Sequence, residues 1–117
     1  ANHTSGLPRL PSNLKPANED DPYADYSAPL LHAFLEKHKL RRAPGAKYEY
    51  SNLGAGLLGH VLSLRTALSY EELLRQRLLR PLGMKNTAIR LSPALQSRLA
   101  PGHAGGLETT ANWQMDA

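Results

Sequence analysis

The apolar positions of this chain fall into three helical stretches separated by strong breakers. Counting from Leu30, residues Leu31, Phe34, Leu35 and His38 follow at offsets of 1, 4, 5 and 8, which is one face of a 3.6-residue period. This predicts a first helix from about Pro29 to Leu40, with Ser27 as its cap and Pro44-Gly45 as its stop. Lys37, Lys39, Arg41 and Arg42 gather at its C-terminal end, where cations suit the helix dipole. A second helix is expected from about Leu53 to Ala67, capped by Ser51 or Asn52, with Leu57, Leu58, Val61 and Leu62 on its buried side. The third starts at Ser69, because Ser69-Tyr70-Glu71-Glu72 reads as a capping box. Glu71 and Arg75 add an i,i+4 pair, and Pro81 and Gly83 end the helix. A short last helix follows Ser92-Pro93.

Strand signals are few. Lys47-Tyr48-Glu49-Tyr50 alternates but is only four residues long. Residues 1–26 hold Pro8, Pro11, Pro16 and Pro22 together with the acidic run Glu19-Asp20-Asp21. They read as an irregular extended segment, since each proline fixes its own φ and biases its predecessor away from helix. The organisation expected is an irregular segment over 1–26, a helical subdomain over 27–100 and an irregular segment over 101–117. The class is mainly α.

Length and composition narrow the function classes. At 117 residues there is room for one compact domain or for one piece of a larger one. The chain does not open with Met, and Ala1-Asn2-His3 has neither the basic start nor the apolar stretch of a signal peptide, so a processed or partial chain is expected. The compartment stays open. The longest stretch free of Lys, Arg, Asp and Glu, Tyr50 to Leu64, is shorter than the roughly 20 apolar residues of a spanning helix, so no membrane span is expected. The absence of cysteine excludes a disulfide scaffold, a thiolate zinc site and a cysteine nucleophile. The net charge of +4 does not by itself mean a nucleic-acid partner. Seven of the 14 basic residues, Lys37, Lys39, Arg41, Arg42, Arg75, Arg77 and Arg80, lie at or near helix ends, where local electrostatics explains them.

The five histidines, His3, His32, His38, His60 and His103, do not show metal-ligand spacing, and His38 belongs to an apolar stripe. No metal and no cofactor is expected. Gly54-Ala55-Gly56-Leu57-Leu58-Gly59 matches G-x-G-x-x-G letter for letter, and a dinucleotide could in principle meet Gly54, Gly56 and Gly59 at a helix start. The required second strand and its terminal acid are missing, however, since Glu71 and Glu72 belong to a helix cap. Packing against a close neighbour is the plainer explanation of these glycines.

The chemical signal is Tyr50-Ser51-Asn52. Alone, a Tyr-x-Asn triplet is weak, arising by chance in roughly one chain in seven of this length. Here it stands in an ordered set: His3-Thr4-Ser5-Gly6-Leu7-Pro8 before it, then Leu57-Leu58-Gly59-His60, Ser69-Tyr70-Glu71-Glu72-Leu73-Leu74, Pro81-Leu82-Gly83-Met84 with Thr87, and Ala100-Pro101-Gly102-His103. This set resembles the class C β-lactamases and their relatives, the penicillin-binding-protein-like serine hydrolases and esterases. Within that resemblance, Trp113-Gln114-Met115-Asp116 looks like the approach to the later strand region of some members.

The resemblance implies a fold and a site. The chain would be the helical subdomain of a serine β-lactamase-like α/β fold, lacking the main sheet. Such enzymes combine three motifs: S-x-x-K with the nucleophilic serine, Y-x-N, and a K-T-G-like strand. Tyr50 matches the proton-transferring tyrosine, and Asn52 the asparagine that orients substrate and lysine. A serine hydroxyl is a poor nucleophile until a neighbour takes its proton. A phenol, with an unperturbed pKa near 10, takes one only where cations favour the phenolate.

Ser12-Asn13-Leu14-Lys15 is the one S-x-x-K match, but Pro11 and Pro16 flank it and disfavour the helix the motif needs. It also follows the His-Thr-Ser-Gly-Leu-Pro stretch, whereas the family's motif precedes it. No Lys-Thr-Gly occurs. The expected reading is a serine hydrolase part that supplies Tyr50 and Asn52, is inactive alone, and meets a β-lactam or ester only when the remainder of the fold, or a partner chain, completes it. Two alternatives remain: a non-catalytic helical interaction module, and the dinucleotide binder. For Tyr50 a rim aromatic, and for Asn52 a helix cap, are the purely structural alternatives.

Overall fold

A computed structural model describes residues 1–113. Its elements are α1 (Ala28–Lys37), α2 (Asn52–Thr66), α3 (Tyr70–Leu74) continuing into a π-helical turn (Arg75–Leu79), α4 (Pro93–Gln96), β1 (Gly102–His103) and β2 (Thr109–Thr110). The chain is mostly helical with one small two-stranded antiparallel sheet, Gly102 opposite Thr110 and His103 opposite Thr109. That pairing lies in a stretch the sequence pattern gives no strand signal for.

The helix starts obey their capping residues. Ser51 Oγ accepts from the Gly54 N–H at 2.8 Å, Ser69 Oγ from Glu72 at 3.2 Å, and Ser92 Oγ from Leu95 at 3.4 Å. Ser27 precedes α1 in extended conformation but its side chain makes no cap bond; a proline in the first turn starts that helix without one. The π turn carries an i→i+5 bond from Arg80 N–H to Arg75 O, next to Pro81, which has no N–H to offer the regular ladder; after it, Met84 N–H donates to Leu79 O around Gly83, whose φ is +67°. Glu71, in the first turn of α3, pairs with Arg75 at 3.3 Å and also accepts from the Ile89 and Arg90 N–H groups, so it holds the 87–90 loop against the helix.

Two expectations need correction. The first helix ends at Lys37, not Leu40: His38 turns extended and stacks its ring on Phe34, centroids 4.8 Å apart. Lys39, Arg41 and Arg42 therefore lie beyond the last turn, and Arg42 forms an ion pair with Glu49 instead. In α2 the buried residues are Leu53 and Gly59, while Leu58 (42%), Val61 (49%) and Leu62 (41%) stay exposed; of the expected apolar side only Leu57 reaches the core.

That core is small. Leu7, Leu31, Phe34 and Leu53 pack together, with Tyr26, Leu35 and Leu57 against them. The accessible surface of 8876 Å² exceeds the roughly 6,300 Å² expected for a folded monomer of this mass. The radius of gyration, 16.4 Å, exceeds the roughly 13 Å of a compact domain of this size. The chain is open.

Polar ties compensate for thin packing. The segment around His3–Arg9 runs alongside residues 45–53: Gly45 N–H donates to Thr4 O at 2.7 Å, Glu49 N–H to His3 O at 2.8 Å, and both Asn52 and Leu53 N–H to Arg9 O at 3.0 and 3.2 Å. Gly6 permits this course. Its φ is +78°, and a Cβ there would stand 3.0 Å from Arg42 O. Ser51, at 0% exposure, closes the tie by donating its hydroxyl to Pro8 O at 2.7 Å while capping α2.

Two sets of substitutions probe this packing. Ser51→Ala removes a cap and leaves the Pro8 carbonyl short of a partner, so it should cost about 2 kcal/mol of unfolding free energy, read as a lower urea midpoint. A midpoint equal to the parent's would count against the tie. Gly54→Ala should also destabilise, because the new Cβ would lie 3.2 Å from both Ser5 Oγ and the pinned Ser51 Oγ. Gly56→Ala, with nothing within 4 Å, should instead stabilise by up to about 1 kcal/mol.

Candidate active site

Tyr50, Ser51 and Asn52 straddle the start of α2, and the buried middle residue fixes the outer two. Tyr50 comes just before the extended cap residue Ser51; it is 50% exposed, and its hydroxyl makes no hydrogen bond among the described residues. Its ring is flanked by His3, with centroids 4.4 Å apart and planes tilted by 37°, and by the Arg9 guanidinium, whose carbon lies 6.0 Å from the ring centroid. His3 is itself held in place: its Nδ1 accepts from the Ser51 N–H at 3.2 Å. A neutral His3 therefore carries its proton on Nε2. His3 has φ +58°, the left-handed region, which histidine enters more readily than most residues.

Asn52 is the first residue of α2, and the cap is Ser51, so the capping alternative for Asn52 is set aside. Its Nδ2 lies 3.5 Å from the Tyr23 hydroxyl, at the limit of a hydrogen bond, and its Oδ1 is unclaimed among the described residues. Tyr23 in turn meets Trp113 edge to face, centroids 5.7 Å apart. The rest of the Trp113–Asp116 stretch lies outside the described residues.

Ser12 occupies a tight turn closed by Leu14 N–H donating to Pro11 O at 3.1 Å, and it is exposed. A turn does not bring Lys15 back to the same face as a helix would. A cleft of about 420 Å³ opens between residues 1–5 and α2, lined by His3, Ser5, Ser51, Gly54, Leu58, Leu62 and Tyr70 among others. Neither Tyr50 nor Asn52 lines it, so the cleft and the Tyr-x-Asn chemistry lie apart.

The glycine run is helical and offers no phosphate cradle. Of the first four N–H groups of α2, those of Asn52 and Leu53 are bound by Arg9 O, that of Gly54 by Ser51 Oγ, and that of Ala55 by Ser51 O. An anion would find no free donor there, although free donors are what make a helix start attractive to one. Among the described residues no group of three or more His, Asp or Glu could hold a metal ion.

His3 and Arg9 are the site neighbours that residue spacing did not single out. Both lie in or beside the His3–Pro8 stretch, 41 or more positions before Tyr50, so only the fold brings them together. His32 and His60 also meet unexpectedly, Nε2 to Nε2 at 2.9 Å across α1 and α2.

The sequence model described as Beta-lactamase matches residues 1–116. The chain belongs to the beta-lactamase family. Among curated relatives, the D-alanyl-D-alanine-carboxypeptidase/endopeptidase AmpH of Escherichia coli is 33% identical over 113 residues, covering 90% of this chain and 27% of AmpH. Among solved structures, a beta-lactamase/D-alanine carboxypeptidase from Yersinia pestis superposes with a TM-score of 0.78 at 33% identity, over 94% of this chain and 31% of that one. A class C beta-lactamase superposes with a TM-score of 0.76 at 28% identity, over 97% and 29%. This chain spans between a quarter and a third of the length of these beta-lactamase-fold relatives. Family membership leaves no support for the dinucleotide alternative, in line with the occupied helix start.

The occupied N–H groups carry a prediction. NAD or ATP at millimolar concentration should leave the melting temperature unchanged, whereas saturating binding would raise it by several degrees.

Proposed function

We propose that this chain is the mostly helical part of a serine hydrolase of the β-lactamase and penicillin-binding type, lacking the main sheet. It contributes Tyr50 and Asn52 to a site whose nucleophilic serine and Lys-Thr-Gly-like strand lie in other polypeptide. The complete enzyme acylates its serine on a β-lactam or an ester and hydrolyses the acyl-enzyme with water.

The observation that carries this reading is an exposed Tyr50 hydroxyl two positions before Asn52, with neither that hydroxyl nor the Asn52 carboxamide oxygen hydrogen-bonded among the described residues. A side chain serving only the interior would bury that hydroxyl against a partner. Tyr50 would pass the serine proton on, and Asn52 would hold substrate and lysine by hydrogen bonds. His3 and Arg9 would keep the phenol ring in place. The exposed stripe of Leu58, Val61 and Leu62 supports the same view, since so large an apolar face is out of place in a finished fold. A helical interaction module would offer such a face too, but membership of the beta-lactamase family favours the remainder of the hydrolase as its cover. Among the described residues no helix is long and apolar enough to cross a membrane.

Hydrolysis of a chromogenic β-lactam and of a short-chain p-nitrophenyl ester decides the matter. The chain alone should turn over neither, and a longer protein with the flanking sequence restored should turn over at least one. In that longer protein Tyr50→Phe should lower kcat by about 10²–10⁴-fold with the melting temperature unchanged, the loss typical of a missing proton-transfer group. Turnover by the chain alone that disappears in Ser12→Ala would overturn the proposal.

A further inference from the structure

Two imidazoles from separate helices face each other on the surface of this protein. His32, on α1, is exposed; His60, on α2, is half-buried; their Nε2 atoms are 2.9 Å apart and their ring centroids 5.1 Å apart. Neither ring makes another hydrogen bond among the described residues. Only one proton can sit between the two nitrogens, so each ring offers the other its Nε2 and one lone pair is always directed into the gap.

We propose that His32 and His60 form a two-histidine site for a tetragonal transition-metal cation, Ni²⁺ or Cu²⁺, that clips α1 to α2. The spacing is the first argument. Two nitrogens bound at about 2.0–2.1 Å and at right angles to one metal lie roughly 2.9 Å apart, whereas tetrahedral ligands lie about 3.4 Å apart. The donors already stand at the cis-ligand distance, and only rotation of the exposed His32 ring is needed to turn both lone pairs toward one point. The charge setting is the second. One helical turn either side of His32 stand Ala28, Pro29, Leu35 and Glu36, and of His60 Gly56, Leu57, Ser63 and Leu64, so the one charged neighbour along either helix is an anion. Exposure of His32 leaves room for water in the remaining coordination positions, consistent with the lack of a third protein ligand among the described residues. The third argument is mechanical. α1 and α2 meet through the small cluster of Leu31, Phe34 and Leu53, with Leu35 and Leu57 against it, so a metal bridging residues 28 positions apart would add a long-range constraint where the core is thin. This site does not depend on the hydrolase reading.

The test is calorimetric titration of NiCl₂ into metal-stripped protein, with thermal melting of the same samples. One Ni²⁺ per chain and a melting temperature raised by several degrees at saturation are expected. His32→Gln and His60→Gln should each abolish both effects, while His103→Gln should change neither. Imidazole resonances read independently of any variant: Ni²⁺ should broaden those of His32 and His60 first. No binding, binding that survives both single substitutions, or broadening that begins at His3, His38 or His103 would overturn the proposal.

Discussion

Everything local to the candidate site turns on one buried hydroxyl. Ser51 caps α2 through Gly54, donates to the carbonyl of Pro8, and presents its own N–H to His3. The bonds to Pro8 and His3, with those of the Asn52 and Leu53 N–H groups to Arg9 O, tie the His3–Arg9 segment to the helix start beside the small core of Leu7, Leu31, Phe34 and Leu53. With Ser51 fixed, Tyr50 is left on the extended side and Asn52 on the helical side. The middle letter of Tyr-x-Asn, which a motif treats as free, is here the most constrained of the three. A larger residue would strike Gly54 and the proline carbonyl, and one without a hydroxyl would leave both without a partner.

The parts of this architecture that were legible in the sequence are those governed by local chemistry. Serine caps before α2, α3 and α4 and the Glu71–Arg75 pair all follow from neighbours within a turn. The exposed face of α2 was not legible in the same way. A stripe of Leu57, Leu58, Val61 and Leu62 says that a helix wants cover; it does not say whether the cover lies in the same stretch of chain. The early end of α1 depends on His38 stacking over Phe34, a contact that competes with one more helical turn and leaves no mark in periodicity. The meeting of His32 with His60, like that of His3 with Tyr50, joins positions far apart in sequence that only tertiary packing relates.

For the site itself, the residue types were legible and their division of labour was not. Tyr50 and Asn52 stand out because their order among other motifs resembles the beta-lactamase family; the whole-chain match shows the family, and the roles of the two residues stay a proposal. That Ser51, not Asn52, serves as the cap required the hydrogen bonds, because either residue type fits that position equally well. The consequence is chemical: a carboxamide relieved of capping keeps its oxygen for something else. Ser12 illustrates the converse, a correct letter pattern whose flanking prolines set a turn where a helix would be needed.

The large accessible surface has a thermodynamic consequence. Heat capacity and denaturant sensitivity of unfolding both scale with the area newly wetted, and this chain has less to expose than a compact domain of its mass. Its melting should therefore be broader and its stability curve shallower than such a domain's. Steeper cooperativity would require more apolar area to leave water on folding.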